Sequence, residues 1–262
     1  MISVLLNIFP DEGNESRVQA AIALVKSQGG HITCVQAVST GSIPVADPAS
    51  AATEAETLLE LERVAREFQD TVEAMLAKAD VGWSWLRFFG DPGAIVVERA
   101  RLADVVILSS QDSVPSVSSV ALHSRTPVLA VPVSNPNFIP DRSALIAWNG
   151  SEPAADAVHG AMPMLDFMEP VQILSVDHDS EEFPASLVQQ YLHHHQIRSD
   201  VHWRNAEDRK SIADTIINVS EELGCGLIVG GAFSHSRLRE MVLGGVTREL
   251  LERSPVPLLL AH

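Results

Sequence analysis

Hydrophobic residues fall along this chain in short runs separated by amphipathic stretches. Runs rich in Val, Ile and Leu occupy residues 3–8, 32–38, 83–89, 105–108 and 127–133, each of strand length. Between most of them lie segments of helical period. The clearest covers residues 52–78, where Leu58, Leu61, Ala65, Phe68, Val72 and Met75 recur at three- and four-residue steps and predict one apolar stripe. Its other face is Glu and Arg. Short apolar strands alternating with amphipathic helices predict an α/β fold, an open parallel sheet with helices on both faces, because parallel neighbours need a crossover and a helix usually supplies it.

The pattern then repeats. After a Pro- and Asn-bearing stretch of linker composition at 134–142, apolar runs return at 144–148, 171–176, 199–203, 226–229 and 256–260. Val4 to Ile32 and Leu145 to Ile173 span the same step. SRTPVLAV, ending at Val131, echoes ERSPVPLL, ending at Leu259. The expectation is two tandem five-stranded domains, 1–134 and 141–262. They differ between the fourth strand and the final X-Pro turn, where residues 231–255 exceed residues 110–127 by about two helical turns. The first half lacks a segment that the second keeps.

Charge removes several partners. Lys and Arg total 18 against 34 for Asp and Glu, a net charge of -16, so most of the surface repels nucleic acid and anionic lipid. No apolar run approaches the length of a bilayer span, and the start, MISVLLNIFP, carries no basic leader and meets Pro10 early, unlike a secretory signal. Cys34 and Cys225 are the 2 cysteines, too few for a disulfide framework, and the expected setting is the reducing cytoplasm.

In an open parallel sheet, ligands settle beyond the carboxyl ends of the strands, where loops lead into helix N-termini with free N–H groups. The segment after Val229 lies there. Gly230 and Gly231 end a strand and let backbone approach a ligand closely, and Gly244 and Gly245 precede a helix starting near Val246 that can receive an anion. His235, Arg237, Arg239 and Arg248 add positive potential suited to a phosphate chain. The bland alternative, glycines that merely turn the chain and arginines that are solvated, fits the spacing equally well.

These residues resemble the universal stress proteins, whose ATP-binding members carry Gly, two residues, Gly, nine residues, then Gly followed by Ser or Thr. The pattern lands on Gly231, Ser234, Gly244 and Gly245, with Ser234 in place of a glycine and Gly245 in place of the hydroxyl residue. AWNGSEPAADAV at 147–158 and the closing VTRELLERSPVPLLLAH extend the resemblance, which covers the chain as two copies. It implies a nucleotide site at Ala147, Asn149, Val176, Gly230, Gly231, Ser234, Gly244, Gly245, Val246 and Thr247. Asn149 stands where relatives have an Asp that contacts the nucleoside, and Val176 where a hydrophobic residue packs on the base. Ser234 crowds a place where glycine admits phosphate, so the implied site is compromised, and the first half, missing the segment, is not expected to bind by this mode. The implied function is a stress-response regulator that senses ATP or another adenine nucleotide, with or without Mg²⁺, in the C-terminal domain. Also implied is an intramolecular pseudo-dimer paired through the final strands, which leaves room for a further homodimer. The rival is a structural or partner-binding body whose loop has lost its ligand.

The other polar clusters point to ordinary roles. His193, His194 and His195 fan out by roughly 100° per residue near a helix end and cannot converge on one metal; favourable contact with the helix C-terminus explains them. Asp177, His178 and Asp179 follow a strand on the ligand side and offer oxygens for Mg²⁺, although a plain polar loop accounts for them as well. His235 and Ser236 have no nucleophile elbow around them and no orienting acid. No G-x-x-x-x-G-K-[ST] sequence is present, so efficient ATPase or kinase chemistry is not indicated.

Overall fold

Alternation along the first strand sets the architecture, since Val4, Leu6 and Ile8 enter one core while Leu5 enters another on the opposite face of the sheet. The computed structural model describes residues 1–39, 51–111, 113–133, 138–140, 142–168, 170–177, 180–206, 211–232 and 244–262. Its first half runs β1 (Ile2–Ile8), α1 (Asn14–Gln28), β2 (Gly30–Val38), α2 (Ala51–Ala79), β3 (Gly82–Phe89), α3 (Pro92–Arg99), β4 (Val105–Ser109), α4 (Val117–His123) and β5 (Val128–Val131). The second half runs β6 (Ala144–Ala147), α5 (Glu152–Leu165), β7 (Val171–Val176), α6 (Ala185–His194), β8 (Ser199–Arg204), α7 (Ile212–Glu222), β9 (Leu227–Gly231), α8 (Gly245–Arg253) and β10 (Leu258–Ala261).

The strands of both halves form one 10-stranded sheet ordered β3-β2-β1-β4-β5-β10-β9-β6-β7-β8. Neighbours are parallel within each half. At the seam β5 and β10 run antiparallel, with Leu129 beside Leu259, Ala130 beside Leu258 and Val128 beside Leu260. Helices α1, α2, α5 and α6 cover one face, and α3, α4, α7 and α8 the other. Each core therefore continues across the seam. Leu129 and Leu259 are both fully buried there, each contributing about 1.5–3 kcal/mol through burial.

Three expectations change in detail. The stripe on α2 is buried at Ala65 and Val72, but Leu58 is 39% exposed. At about 1.5 Å per residue the 29-residue α2 reaches about 44 Å, whereas the 8-residue β3 reaches about 26 Å, so the first turns outrun the sheet. The register of the repeat also differs: Val4 lies beside Ile32, yet Leu145 lies beside Gln172 and Ile173 beside Ile146, so the step is one residue shorter in the second half. Finally, Pro127 corresponds to Pro257, not to Pro255, because the carbonyls of Pro127 and Pro257 accept equivalent bonds from the amides of Val106 and Ile228. Periodic apolar runs tolerate such slips on paper; hydrogen-bonded ladders do not.

An arginine lies wholly inside the first half. Arg17 of α1 is 0% exposed, and its guanidinium donates to the carbonyls of Asn7 and Phe9, to the Asp11 carboxylate at 2.8 Å and to the Ser109 hydroxyl. Burial lowers its pKa and the Asp11 charge works against that shift. With an acceptor at each guanidinium nitrogen, the buried charge ties the carboxyl ends of β1 and β4 to the start of α1.

Candidate functional site

In the second half the chain order leaves β6 in the middle, with β7 and β8 to one side and β9 and β10 to the other. The crevice between β6 and β9 is the topological switch point, where loops diverge and leave space. A cavity of about 410 Å³ opens there. All the predicted site residues that lie within the described structure line it: Ala147, Asn149, Val176, Gly230, Gly231, Gly244, Gly245, Val246 and Thr247. Ser234 falls outside the described residues, as do His235, Ser236, Arg237 and Arg239.

The two strand-end glycines have different reasons to be there. At Gly231 a Cβ would come within 2.9 Å of Pro153 and of the Ala154 backbone, so this glycine lets β9 pass close to the start of α5. At Gly230 the nearest neighbour of a Cβ would be Ala147 Cβ at 3.9 Å, and this position opens on the cavity. Helix α8 starts at Gly245 behind Gly244, which offers no side-chain cap, and among the described residues no atom lies within 4 Å of either glycine's Cβ position. Gly244 thus gives the first N–H groups of α8 no side-chain acceptor of its own. Thr247, nearly buried, donates its hydroxyl to the Gly231 carbonyl at 3.2 Å and closes the first turn of α8 onto β9.

The walls are apolar: Leu174 and Val176 from β7, Ile212 and Ile216 from α7, and Val246 and Leu250 from α8. Most of these were not singled out from sequence. Leu174 sits two residues before Val176 on the same strand face, and Ile212 and Ile216 are one helical turn apart, so the signal was the ordinary alternation and periodicity that also mark a core. Asn149 is exposed, and its carboxamide oxygen accepts from the Ser151 amide at 3.1 Å and from the Ser151 hydroxyl at 2.7 Å. Among the described residues no charged side chain lines the cavity, and Arg248 is exposed outside it.

A polar clamp holds the two helices of the cavity together. Ser211 caps α7 in a capping box with Asp214, and its hydroxyl donates to Glu249 of α8 at 2.6 Å. Arg253 of α8 reaches Asp214 at 2.5 Å. The Ser211 amide, then Arg253, hold the Asp214 carboxyl below the usual aspartate range.

The first half fills the corresponding place. Asn7, which occupies the position equivalent to Ala147, is buried and donates its side-chain amide to the Val114 carbonyl at 3.0 Å, drawing the β4–α4 connection onto the end of β1. Helix α4 is 7 residues long where α8 has 9.

Elsewhere, Asp177 adopts φ 65° and accepts from the Ala206 amide at 2.7 Å, while His178 and Asp179 lie outside the described residues. No cluster of three or more His, Cys, Asp or Glu side chains suited to a metal occurs among the described residues. His193 and His194 sit in the last turn of α6, and the His195 ring packs on Tyr191 at 4.7 Å between centroids. Cys34 and Cys225 are both buried and free; burial, with Glu73 adding to it, pushes the Cys34 thiol up to about 12. Among the described residues no helix is long and apolar enough to cross a membrane.

A mostly parallel sheet with helices on both faces and a glycine-rimmed cavity at its switch point defines an open α/β fold. Residues 142–262 match the model of the universal stress protein family, and the residues before them repeat the same fold. A universal stress protein from Archaeoglobus fulgidus superposes with a TM-score of 0.76 at 17% identity, covering 99% of this chain and 97% of that one. Two Pseudomonas aeruginosa structures follow. One, described as a candidate universal stress protein, has a TM-score of 0.64 at 14% identity, covering 100% of this chain and 93% of its own. The other, of unknown function, has a TM-score of 0.62 at 13% identity, covering 100% and 92%. At these identities the likeness concerns the fold. Comparison with curated proteins finds no match.

Proposed function

We propose that the second half is a regulatory binding domain for an adenine nucleotide or a related phosphate-bearing ligand. The observation that carries this reading is the cavity between β6 and β9, which joins apolar walls to an uncapped helix N-terminus. Leu174, Val176 and Ile216 offer a planar base a surface with little polar desolvation cost, and the first N–H groups of α8 offer a phosphate donors and a favourable dipole. Asn149, with its oxygen held by Ser151, has an amide NH₂ to give to a ribose. The lining hydroxyls are committed, Thr247 to the Gly231 carbonyl and Ser151 to Asn149, which favours binding over chemistry. Mg²⁺ would accompany the phosphates as part of the ligand.

Titration calorimetry of the ligand-stripped chain with MgATP tests this. The expected result is one adenine-dependent site per chain, weakened at least tenfold in Gly230→Leu, where an added Cβ has its nearest neighbour, Ala147, at 3.9 Å. Absence of heat and of thermal stabilisation at millimolar ATP would overturn it in favour of a paired body without nucleotide.

A further inference from the structure

A second cleft, of about 620 Å³, lies where the two halves meet and shares no lining residue with the C-terminal cavity. Arg101, His123 and Arg125 reach it from the first half and His159 from the second. We propose that this junction cleft binds a small molecule through a phosphate or pyrophosphate group.

The case begins with charge. Acidic residues outnumber basic ones 34 to 18, and half of the described arginines pair with carboxylates: Arg17, Arg63, Arg66, Arg99, Arg204 and Arg253. Among the described residues Arg87, Arg142 and Arg248 stand apart from carboxylates one at a time, whereas Arg101 and Arg125 do so together on one cleft. Arg101 and Arg125 have no such partner among the described residues, although both are exposed and free to find one. Asp104 is the carboxylate of the lining, and its Oδ2 already accepts from the Ser3 amide at 2.7 Å. Two unpaired guanidinium forks on one cleft suit the several oxygens of a phosphate better than a single carboxylate.

Helix ends explain part of this arrangement. Arg101 and His123 stand in the last turns of their helical segments, where the dipole favours a cation. Arg125 lies beyond α4, and His159 belongs to the body of α5, so the dipole does not explain their meeting in the same cleft. His123 donates Nδ1–H to the Ser119 carbonyl at 2.8 Å, which fixes its ring at the cleft.

The floor is fixed in advance. Thr126 donates its hydroxyl to the Ala100 carbonyl at 2.7 Å, the Ser124 hydroxyl accepts the Thr126 amide at 2.9 Å, and Gly160 brings α5 against Pro127. A small ligand meets only this local field, whereas an extended polyanion would also meet the acidic surface around it.

Calorimetric titration with inorganic pyrophosphate at low salt provides the test. Binding is expected in the native chain and equally in Gly230→Leu, at least tenfold weaker in Arg101→Gln/Arg125→Gln, and weaker as salt rises. Both arginines are exposed, so the double variant should keep the native melting temperature, and a melt without ligand checks this. No binding, unchanged binding in the double variant, or loss of binding in Gly230→Leu would each overturn the proposal.

Discussion

At Gly231 the backbone of β9 passes so close to α5 that an added methyl would sit 2.9 Å from Pro153 and Ala154, whereas at Gly230 it would meet Ala147 at 3.9 Å. Gly231→Ala should therefore destabilise the fold by about 1–3 kcal/mol, the usual cost of overpacking, and Gly230→Ala should be tolerated; urea unfolding of the two variants measures the contrast. The sequence marked both glycines as a strand end that lets backbone approach a ligand, but the reasons separate only in three dimensions, one glycine serving helix packing and the other opening on the cavity. Arg17 was less legible still. An arginine in a helix reads as surface, and its burial depends on carbonyls at Asn7 and Phe9 that no local pattern brings together.

Strands and helices were the legible level, because most strands are short apolar runs and most helices carry their apolar stripe locally. Register was not, since a one-residue slip between β6 and β7 leaves an apolar run looking the same. The helix pair α7 and α8 shows what local pattern omits: its clamp of Ser211, Asp214, Glu249 and Arg253 joins residues far apart in sequence. Because the Asp214 pKa is lowered in the folded chain, its contribution to stability is fully present above the unfolded aspartate pKa. It is lost as pH falls through the depressed folded value. Asp214→Asn should accordingly lower stability at neutral pH and flatten the acid limb of the stability profile, with the two chains converging at the lowest pH. Urea unfolding across the acid range checks this, and an unchanged acid limb would assign the clamp no electrostatic role.

For the molecule as a whole, duplication was readable from the repeated order of runs, while the joining of both halves into one sheet at β5 and β10 was implied by family resemblance alone. The docking contact beside that seam was not visible beforehand. Gly160 of α5 abuts Pro127, and a Cβ there would lie 2.4 Å from the proline ring. Gly160→Val should lower stability by about 1–3 kcal/mol, read as a shift of the urea midpoint, although the position is only half-buried.

The seam also changes what mutation can do. In a pair of identical subunits about a two-fold axis, every substitution occurs twice and each patch must suit its own copy. Here the partners across β5 and β10 are encoded separately, so a change on one side is not mirrored on the other. Asn7 can seal its half while Ala147 leaves the other open, and Arg125 can share a cleft with His159 without a second Arg125 opposite it. The two members of this joined sheet are therefore free to specialise.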